Sequence, residues 1–397
     1  MVSKKTTTLE GVTVADFSHA LAAPYGSMIL ADMGADVIKI ESPAGDMSRP
    51  ALGGAWNIMA NRNKRGISVD LKQEQGKEIV RKILQKADVL IESFTPGVIE
   101  KLGFGYETVR AINPKLIYCS ISGFGQTGPY KDMRGFDVVA QAFSGIMLNT
   151  GEPDCPPVRV GTSAVDMGSG MYLALGILLA LMDREKTGEG QRIDISLFET
   201  ALSWMSPYTV GFSKTGVLPQ RLGSGYAAFC PYKVFDASDG YVFVGVATDQ
   251  FWKYFCESLD FMDLYENPKY LKTKGRLENR IELDDLVQKG MKRFKVAEVV
   301  EKLRTAGVPV APLLSVAQTL EDPQAKARDI FVSMDHPEYG PVKFARTPIV
   351  RSGKMPEVCS SSPFLGEHTR EVMAEVGYSK EQINELISSG IAIDVKK

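Results

Sequence analysis

Two aspartates stand in settings where a carboxylate could do chemistry. Asp166 lies among small residues, beside Gly168 and Gly170, and just ahead of an apolar run. Glycines leave room for a bulky group to approach, and a carboxylate in a partly desolvated turn can act as a covalent nucleophile. The same position suits a helix N-cap, which the local sequence alone favours. Asp137 precedes a second apolar helix and has the same two interpretations.

A cysteine and a histidine are weaker candidates for catalysis. Cys119 sits in a predicted strand between apolar residues, which indicates a buried thiol rather than a nucleophile. His19 lies at a predicted strand-to-helix turn and could bind phosphate or act as a base, although a lone histidine is more often structural. The chain has only three histidines, and its five cysteines include no C-x-x-C pair. We therefore expect neither a metal site nor a disulfide framework.

The segment Gly123-Phe-Gly-Gln-Thr-Gly128 has the G-x-G-x-x-G spacing of a dinucleotide-binding turn and follows a predicted strand. Such a turn needs a helix directly after it, whose N-terminus faces the pyrophosphate. Here the next residues are Pro129-Tyr-Lys-Asp-Met-Arg-Gly135 instead. We interpret the segment as a glycine-rich loop and do not expect a nicotinamide enzyme.

Charge and composition narrow the class of protein. The 397 residues include 46 Lys plus Arg and 48 Asp plus Glu, and this net charge of −2 argues against nucleic acid or anionic lipid as a partner. Basic residues do cluster at 61–66 and recur at Lys72, Lys101, Lys131 and Arg134, either as a solvated face or as a phosphate-binding rim. The longest apolar run, 171–182, is too short to span a membrane, so we expect a cytoplasmic protein.

Strand and helix signals alternate through the first half of the chain, and this order predicts an α/β fold with a parallel, helix-covered sheet. The predicted strands are 11–17, 35–41, 87–92, 115–122 and 191–197, and the predicted helices are 24–33, 75–86, 106–113, 168–182 and 198–205. Glycines and prolines then predict a linker at 206–230. Two strands around Asp239–Gly240 open a smaller α+β domain at 231–324. The large Rossmann-like domain would comprise residues 1–205 and 325–397, the latter a Pro-punctuated extended tail with a final helix from Thr369.

Nine short segments along the chain form an ordered series. They are Asp16-Phe-Ser-His19, Gly34-Ala-Asp-Val-Ile-Lys-Ile-Glu41, Asn63-Lys-Arg65, Ala87-Asp-Val-Leu-Ile-Glu-Ser-Phe-Thr-Pro-Gly97, Gly123-Phe-Gly-Gln-Thr-Gly-Pro129, Gly135-Phe-Asp137, Asp166-Met-Gly-Ser-Gly170, Lys186-Thr-Gly-Glu-Gly-Gln191 and Leu365-Gly-Glu-His-Thr369. In this series the chain resembles the class III CoA-transferases, which include formyl-CoA transferase and the carnitine, bile-acid and benzylsuccinate CoA-transferases. The resemblance covers essentially the whole chain.

The resemblance implies a covalent mechanism at Asp166. By it, Asp166 attacks an acyl-CoA to give a mixed anhydride, CoA returns to form an aspartyl-CoA thioester, and a carboxylic acid then takes over the CoA. Asp137 would lie near the reacting end. The implied CoA and substrate contacts are Leu21, Ala22, Ser42, Val69, Lys72, Ser93, Phe94, Thr95, Lys101 and Arg134. CoA is a substrate here, so no metal or other cofactor is implied, and an interlaced dimer is expected, with an identical or a paralogous partner.

Departures from formyl-CoA transferase bear on the substrate. That enzyme has glutamine where Leu21 stands, arginine where Ser42 stands, and four glycines with no counterpart around 223–229. Oxalate and formate are therefore not expected. A larger, more apolar acid would suit Leu21 and the aromatic residues of the predicted linker region. These aromatic residues are Trp204, Tyr208, Tyr226 and Phe229. We expect succinyl-CoA as donor and a branched or aryl-substituted dicarboxylate as acceptor.

Two other functions stay open at this point. The related α-methylacyl-CoA racemases use a histidine directly before the acid of the G-x-D segment, where this chain has Phe136. Without that imidazole a second proton transfer lacks a base. A non-catalytic subunit of a heteromeric transferase is the other possibility, and the presence of Asp166 in its glycine setting argues against it.

Overall fold

The computed structural model describes residues 8–395, which form two compact units. The first contains residues up to 146, 159–214 and those from 329 onward, and the second contains 147–158 and 215–328. The predicted division differs, because 147–158 and 325–328 belong to the second unit, and the predicted linker is divided between the first unit (206–214) and the second (215–230). The predicted linker begins with a helix at Ser206–Thr215, where Pro207 is tolerated because it lies in the first turn. Residues 1–7 and 396–397, which were predicted to belong to the large domain, lie outside the described part.

Twelve strands and eighteen α-helices occur in the described residues. The strands are β1 (Thr13–Asp16), β2 (Asp36–Glu41), β3 (Arg65–Val69), β4 (Val89–Glu92), β5 (Ile117–Ser122), β6 (Arg192–Ser196), β7 (Tyr232–Asp236), β8 (Tyr241–Gly245), β9 (Val310–Pro312), β10 (Phe331–His336), β11 (Gly340–Ala345) and β12 (Ala392–Ile393). The helices are α1 (Ala22–Asp32), α2 (Ala55–Asn61), α3 (Glu74–Leu84), α4 (Val98–Lys101), α5 (Tyr106–Ile112), α6 (Asp137–Ser144), α7 (Ala164–Thr187), α8 (Leu197–Trp204), α9 (Ser206–Thr215), α10 (Asp249–Leu259), α11 (Met262–Glu266), α12 (Thr273–Glu278), α13 (Arg280–Met291), α14 (Val296–Thr305), α15 (Val316–Glu321), α16 (Pro323–Ala327), α17 (Thr369–Glu375) and α18 (Lys380–Ser388).

A seven-stranded sheet organises the described residues of the first unit, in the order β12-β3-β2-β1-β4-β5-β6. Strands β1 to β6 are parallel to their neighbours, and β12 pairs antiparallel with β3. The predicted α/β fold with a large parallel sheet is confirmed. The strand order reverses between β1 and β4, and open sheets of this kind bind ligands in the crevice at that reversal.

Each face of this sheet carries its own apolar core, because alternate side chains of a strand point to opposite faces. Val14 of β1 packs with α1 and α7 on one face, while the next residue, Ala15, packs with α3 and α17 on the other. Cys119 of β5 belongs to the α7 face and is fully buried, and burial raises the pKa of its thiol. The predicted burial of this thiol is confirmed.

Helices α1 and α7 touch backbone to backbone. A Cβ added to Gly26 of α1 would lie 2.6 Å from the carbonyl oxygen of Gly170 in α7, and one added to Gly170 would lie 2.4 Å from the carbonyl oxygen of Ala22. Neither helix has room there for any side chain. The contact fixes the N-terminal turns of both helices against each other, at the carboxyl end of β1.

Helix α7 is longer than predicted and begins at Ala164 instead of 168. Among the described residues it is the one helix long and apolar enough to cross a membrane, and half of its apolar window is buried inside the protein. Several large apolar side chains along α7 to α9 are exposed in the single chain, namely Met171, Tyr172, Leu175, Leu179, Met182, Leu202, Trp204, Tyr208, Val210 and Phe212. Large apolar side chains exposed together along neighbouring helices are typical of a contact surface.

The basic residues at 61–66 are structural, so their interpretation as a phosphate-binding rim is wrong. Lys64 is fully buried and its Nζ lies 3.0 Å from Oδ2 of Asp16. Arg62 pairs with Asp32 at 2.7 Å, also in the interior, and Arg65 pairs with Asp36 at 2.6 Å. A charge that is removed from water needs an oppositely charged partner. These basic groups are therefore engaged in ion pairs within the protein and do not face a ligand.

The remaining strands form two small sheets. In the second unit β7 and β8 pair around the predicted Asp239–Gly240 turn, and β9 joins β8. The tail of the first unit is not simply extended, because β10 and β11 form a hairpin across Pro337–Tyr339. Strands β3 and β12 were not predicted either. Helix α17 begins at the predicted Thr369, but it ends at Glu375 and a second helix, α18, follows where one final helix was predicted.

The α1–α7 contact predicts a large penalty for one added methyl group. We expect Gly170→Ala to lower the free energy of unfolding by about 1–3 kcal/mol, because the backbones must move apart. Gly161→Ala is the control: Gly161 has a backbone outside the left-handed region and nothing within 4 Å of its added Cβ, so alanine there should be neutral or slightly stabilising. Urea unfolding of both variants measures the difference, and equal stability would show that the helices adjust freely.

Candidate active site

A cavity of about 650 Å³ lies in the first unit, beside the loops that follow β1, β4 and β5. The carboxyl ends of these parallel strands meet at one edge, so the cavity occupies the crevice expected where the strand order reverses. Its wall includes both candidate aspartates, Asp137 and Asp166, together with the first residues of α1. The volume is in the range of small-molecule sites.

Asp166 is the third residue of α7, because the helix begins at Ala164 with Ser163 as its N-cap residue. The interpretation of Asp166 as the N-cap is therefore wrong. Its carboxylate accepts no hydrogen bond from the described residues. Burial raises the pKa of this carboxyl to about 7, and the neighbouring charge of Asp137 raises it further in the same direction. Asp166 is thus a partly buried carboxyl group without a hydrogen-bond partner among the described residues, and its pKa is raised toward neutral pH.

Asp137 is a cap, but for a helix other than its own. Its Oδ2 accepts the N–H groups of Val165 at 2.8 Å and Asp166 at 3.1 Å, which are the second and third residues of α7. These amides would otherwise lack partners at the helix start. Oδ1 of Asp137 accepts from the side-chain amide of Gln141, whose own oxygen accepts the Val160 N–H at 2.9 Å. Both oxygens of Asp137 are therefore occupied.

The two ends of the glycine-rich loop lie against each other, and Asp137 follows the second end into the cavity wall. A Cβ on Gly123 would lie 2.6 Å from Cα of Gly135, so the two ends of the loop touch where no side chain fits. Within the loop, the Gly125 N–H donates to Ser122 Oγ at 2.9 Å and the Gln126 N–H to Asp194 at 2.9 Å. These amides face the protein itself, which agrees with the predicted loop and not with a pyrophosphate site.

His19 and Ser93 meet at the reversal of strand order. His19 follows β1 and Ser93 follows β4, and Nδ1 of His19 lies 3.1 Å from Ser93 Oγ. The Ser93 hydroxyl also accepts a hydrogen bond from the backbone N–H of His19 at 3.0 Å. The imidazole packs on Phe94 with the ring centres 5.4 Å apart. Burial lowers the pKa of His19, so the ring is neutral at pH 7. His19 lines the cavity as a neutral hydrogen-bonding group.

One wall of the cavity is apolar. The segment between β2 and β3 supplies its side chains, namely Met47, Leu52, Trp56 and Met59. Leu21, directly before α1, also lines the cavity. The predicted aromatic contributors do not: Trp204 and Tyr208 are not among the lining residues, and Tyr226 and Phe229 belong to the second unit. Trp204 packs on Gly168 instead, where an added Cβ would lie 2.0 Å from its ring.

The structure gathers some of the predicted contact residues and not others. Leu21, Ala22 and Ser93 line the cavity with Asp137 and Asp166. The other predicted residues do not line it and lie on the segments that end or follow β2, β3, β4 and β5, namely Ser42, Val69, Lys72, Phe94, Thr95, Lys101 and Arg134. The Val69 side chain packs in the core, so only its backbone could contact a ligand.

Two residues of the site escaped the sequence analysis: Gln141, which holds Asp137 from behind the cavity wall, and Arg159, which lines the cavity. Gln141 stands four residues after Asp137 on α6, a spacing at which helical side chains meet, and this signal could have identified it. Arg159 precedes the Asp166 segment and lines the cavity, with no pattern to mark it. Among residues 8–395 no group of three or more His, Cys, Asp or Glu side chains is placed to hold a metal ion.

Comparison with known proteins gives a consistent result. The model of the CoA-transferase family III matches residues 9–369. The succinate–glutarate CoA-transferase of Agrobacterium fabrum is 34% identical over 381 residues, covering 93% of this chain and 95% of that protein. The acetyl-CoA:oxalate CoA-transferase of Acetobacter aceti is 39% identical over 330 residues, covering 81% of this chain and 85% of that protein.

A solved structure has the same fold. The crystal structure of a CAIB/BAIF family protein from Brucella suis is 36% identical and superposes with a TM-score of 0.85. The match covers 94% of this chain and 100% of that one.

The raised pKa of Asp166 predicts a pH-dependent stability difference. A buried carboxyl whose folded pKa lies near 7 stabilises the fold at low pH, and this contribution is lost as pH rises from about 4 to 7. Asp166→Asn removes the ionisation, so we expect the variant to gain about 2 kcal/mol over the wild type between pH 5 and pH 8. Urea unfolding at each pH measures it, with Asp183→Asn, an exposed carboxylate of the same helix, as control. A constant difference would contradict the assignment.

Proposed function

Since the chain belongs to the CoA-transferase family III, we propose that it moves CoA from an acyl-CoA to a free carboxylic acid with Asp166 as the covalent nucleophile. The observation that carries this proposal is the contrast between the two carboxylates of the cavity. Asp137 has both oxygens engaged in hydrogen bonds, whereas Asp166 has neither. A carboxylate needs a free oxygen lone pair to attack a thioester, so Asp166 is the one suited to the reaction.

The proposed reaction proceeds by exchange of acyl groups on Asp166. A carboxylate oxygen of Asp166 bonds to the thioester carbonyl carbon, the C–S bond breaks and CoA leaves as a thiolate. The thiolate then attacks the Asp166 carbonyl carbon of the mixed anhydride, which releases the donor carboxylate and leaves CoA on Asp166. The acceptor carboxylate then attacks the Asp166 carbonyl carbon of this thioester, which releases the thiolate and gives a second anhydride. The thiolate attacks the acceptor carbonyl carbon of that anhydride, which forms the product thioester and regenerates the Asp166 carboxylate. Over the whole cycle one thioester is broken and one thioester is formed, so no ATP is required.

The surroundings of Asp166 support each demand of this chemistry. The apolar side chains of Met47, Leu52 and Trp56 would pack against a bound acyl-CoA and so limit access of water, which would hydrolyse an anhydride. The first N–H groups of α1, on Ala22 and Ala23, line the cavity and have no partner among the described residues. A helix N-terminus carries partial positive charge, and it would stabilise a thiolate or an oxyanion formed there.

The substrates proposed are succinyl-CoA as donor and a branched or aryl-substituted dicarboxylate as acceptor. A relative named for succinate and glutarate supports a dicarboxylic substrate. Leu21 lines the cavity with the apolar wall, and this surface suits a carbon skeleton larger than that of oxalate. For CoA itself, the exposed cations Lys72, Lys101 and Arg134 are proposed to contact the phosphates.

The exposed apolar surface along α7 to α9 is proposed to be covered by a second copy of the chain. Leu175 and Leu179 of α7 are 51% and 54% exposed, and surface of this kind is buried in a stable dimer. The other half of α7 already packs inside the first unit, so this face continues a protein core. The interlaced form of such a dimer stays a prediction.

A reducing compartment, namely the cytoplasm, is the proposed location. All five cysteines are unpaired, and two of them, Cys155 and Cys359, are exposed. Exposed free thiols are typical of proteins kept in reducing surroundings.

Trapping with hydroxylamine tests the covalent mechanism. After incubation with a panel of acyl-CoAs and hydroxylamine, we expect a hydroxamate on Asp166 in peptide mass spectrometry, because both the anhydride and the thioester react with this amine. Asp166→Ala should lose transfer by about 1,000-fold or more while keeping its fold. Asp183→Ala is the control, since Asp183 is an exposed carboxylate of the same helix.

The contradicting outcomes are separate. Transfer retained in Asp166→Ala would overturn the nucleophile. Exchange of the substrate's α-proton in deuterated water, with no hydroxamate for any acyl-CoA, would indicate an isomerase instead.

The proposed dimer predicts that one charge on α7 disrupts assembly. We expect the purified wild type to have twice the mass of the single chain in light scattering, and Leu179→Glu to shift it to the monomer because a carboxylate would be buried in the contact. Ile281→Glu is the control, since Ile281 is 82% exposed on α13 in the second unit. A monomeric wild type at micromolar concentration would contradict the proposal.

A further inference from the structure

The charged side chains in the cavity wall are unequal in number. Asp137 and Asp166 are both carboxylates, and Arg159 is the only Lys or Arg among the described residues that line the cavity. His19 is the other basic group, and burial holds it neutral at pH 7. Arg159 therefore supplies the one permanent positive charge of this wall.

The guanidinium of Arg159 has little to bind within the chain. Its Nη1 donates to the carbonyl oxygen of the next residue, Val160, at 3.2 Å, and no carboxylate of the described residues pairs with it. A guanidinium presents parallel N–H donors that match the two oxygens of a carboxylate. An exposed arginine on the rim of a ligand cavity, with these donors unused, is suited to bind an anion that enters from outside.

The backbone beside Arg159 is held in place relative to Asp166. The Val160 N–H donates to the side-chain oxygen of Gln141 at 2.9 Å, and the amide nitrogen of Gln141 donates to Asp137. Asp137 in turn accepts the Asp166 N–H at 3.1 Å. A continuous series of hydrogen bonds therefore connects the arginine segment to the first turn of α7, where the nucleophile lies.

These observations determine what happens to a second carboxylate on the substrate. A dicarboxylic substrate that reacts at Asp166 through one end brings its other charge into a wall that already holds two carboxylates. Repulsion in a partly desolvated site disfavours that charge unless a cation faces it. We propose that Arg159 binds the distal carboxylate of the substrate and makes this chain selective for dicarboxylic acids and their CoA monothioesters. This proposal rests on CoA transfer at Asp166, and it assigns the substrate class to one residue.

The test compares substrates that differ only in the distal carboxylate. Succinyl-CoA and butyryl-CoA have four-carbon acyl groups, and glutarate and pentanoate are the matching five-carbon acceptors. We expect Arg159→Met to lower kcat/KM for succinyl-CoA by about 10- to 100-fold, the usual effect of losing a charged hydrogen bond, and to leave that for butyryl-CoA unchanged. Most of the loss should appear in KM, and Arg159→Lys should recover part of it. Arg110→Met, an exposed arginine on α5 that does not line the cavity, is the control.

Two different failures can be told apart. If the wild type forms no hydroxamate at Asp166 with any acyl-CoA, the proposed CoA transfer is overturned. If hydroxamate forms normally but Arg159→Met lowers the rates with succinyl-CoA and butyryl-CoA equally, or the wild type does not distinguish the two, the role of Arg159 is overturned while the transfer stands. The acceptor pair must give the same order, with glutarate losing and pentanoate unaffected in Arg159→Met.

Discussion

The site depends on one close contact, the crossing of α1 and α7 at Gly26 and Gly170. With a Cβ at either position only 2.4–2.6 Å from the facing backbone, the axes of these helices can approach only where side chains are missing. The crossing lies within the first two turns of both helices, so it brings Ala22 of α1 and Asp166 of α7 to the same cavity. Because interiors are densely packed, a wider crossing would shift Asp166 and the N-terminus of α1 relative to each other.

Buried charges fix the other side of the same crossing. Lys64 reaches under α1, where its Nζ donates to Ser27 at 2.8 Å and to the Pro24 carbonyl at 3.1 Å while pairing with Asp16 at the end of β1. Burial lowers the pKa of Lys64 to about 8, and Asp16 opposes that change by stabilising the charged form. Removal of either partner would leave an uncompensated charge in the interior. The strand, the loop after it and α1 are thereby locked together, and the loop carries His19 and Leu21 into the cavity.

The sequence was sufficient for the parts that follow regular patterns. Apolar-rich runs identified β1, β2, β4 and β5, because strands buried on both faces are largely apolar, and the alternation of polar and apolar residues identified β6. Strand β3 was missed since it starts with Arg65 and Gly66, and β12 is only two residues long. The position of Asp166 in the helix, and not before it, could not be read locally, because Asp137 caps the helix from 29 residues away. The partners of Arg62 and Lys64 and the exposure of Arg159 are likewise tertiary facts that no local spacing contains.

The position of β12 in the sheet affects how the protein is made. Strand β3 pairs on one side with β2, but its other neighbour, β12, follows more than about 320 residues later, and His368 also donates its N–H to Gly66 of β3 at 2.8 Å. At about 5–20 residues per second, a ribosome needs roughly 15–60 s to synthesise that interval. Throughout this time β3 is an open sheet edge, and such edges pair readily with other chains. The first unit is completed only after β12 has been synthesised, so the edge of β3 stays open to pairing with other chains for this whole interval.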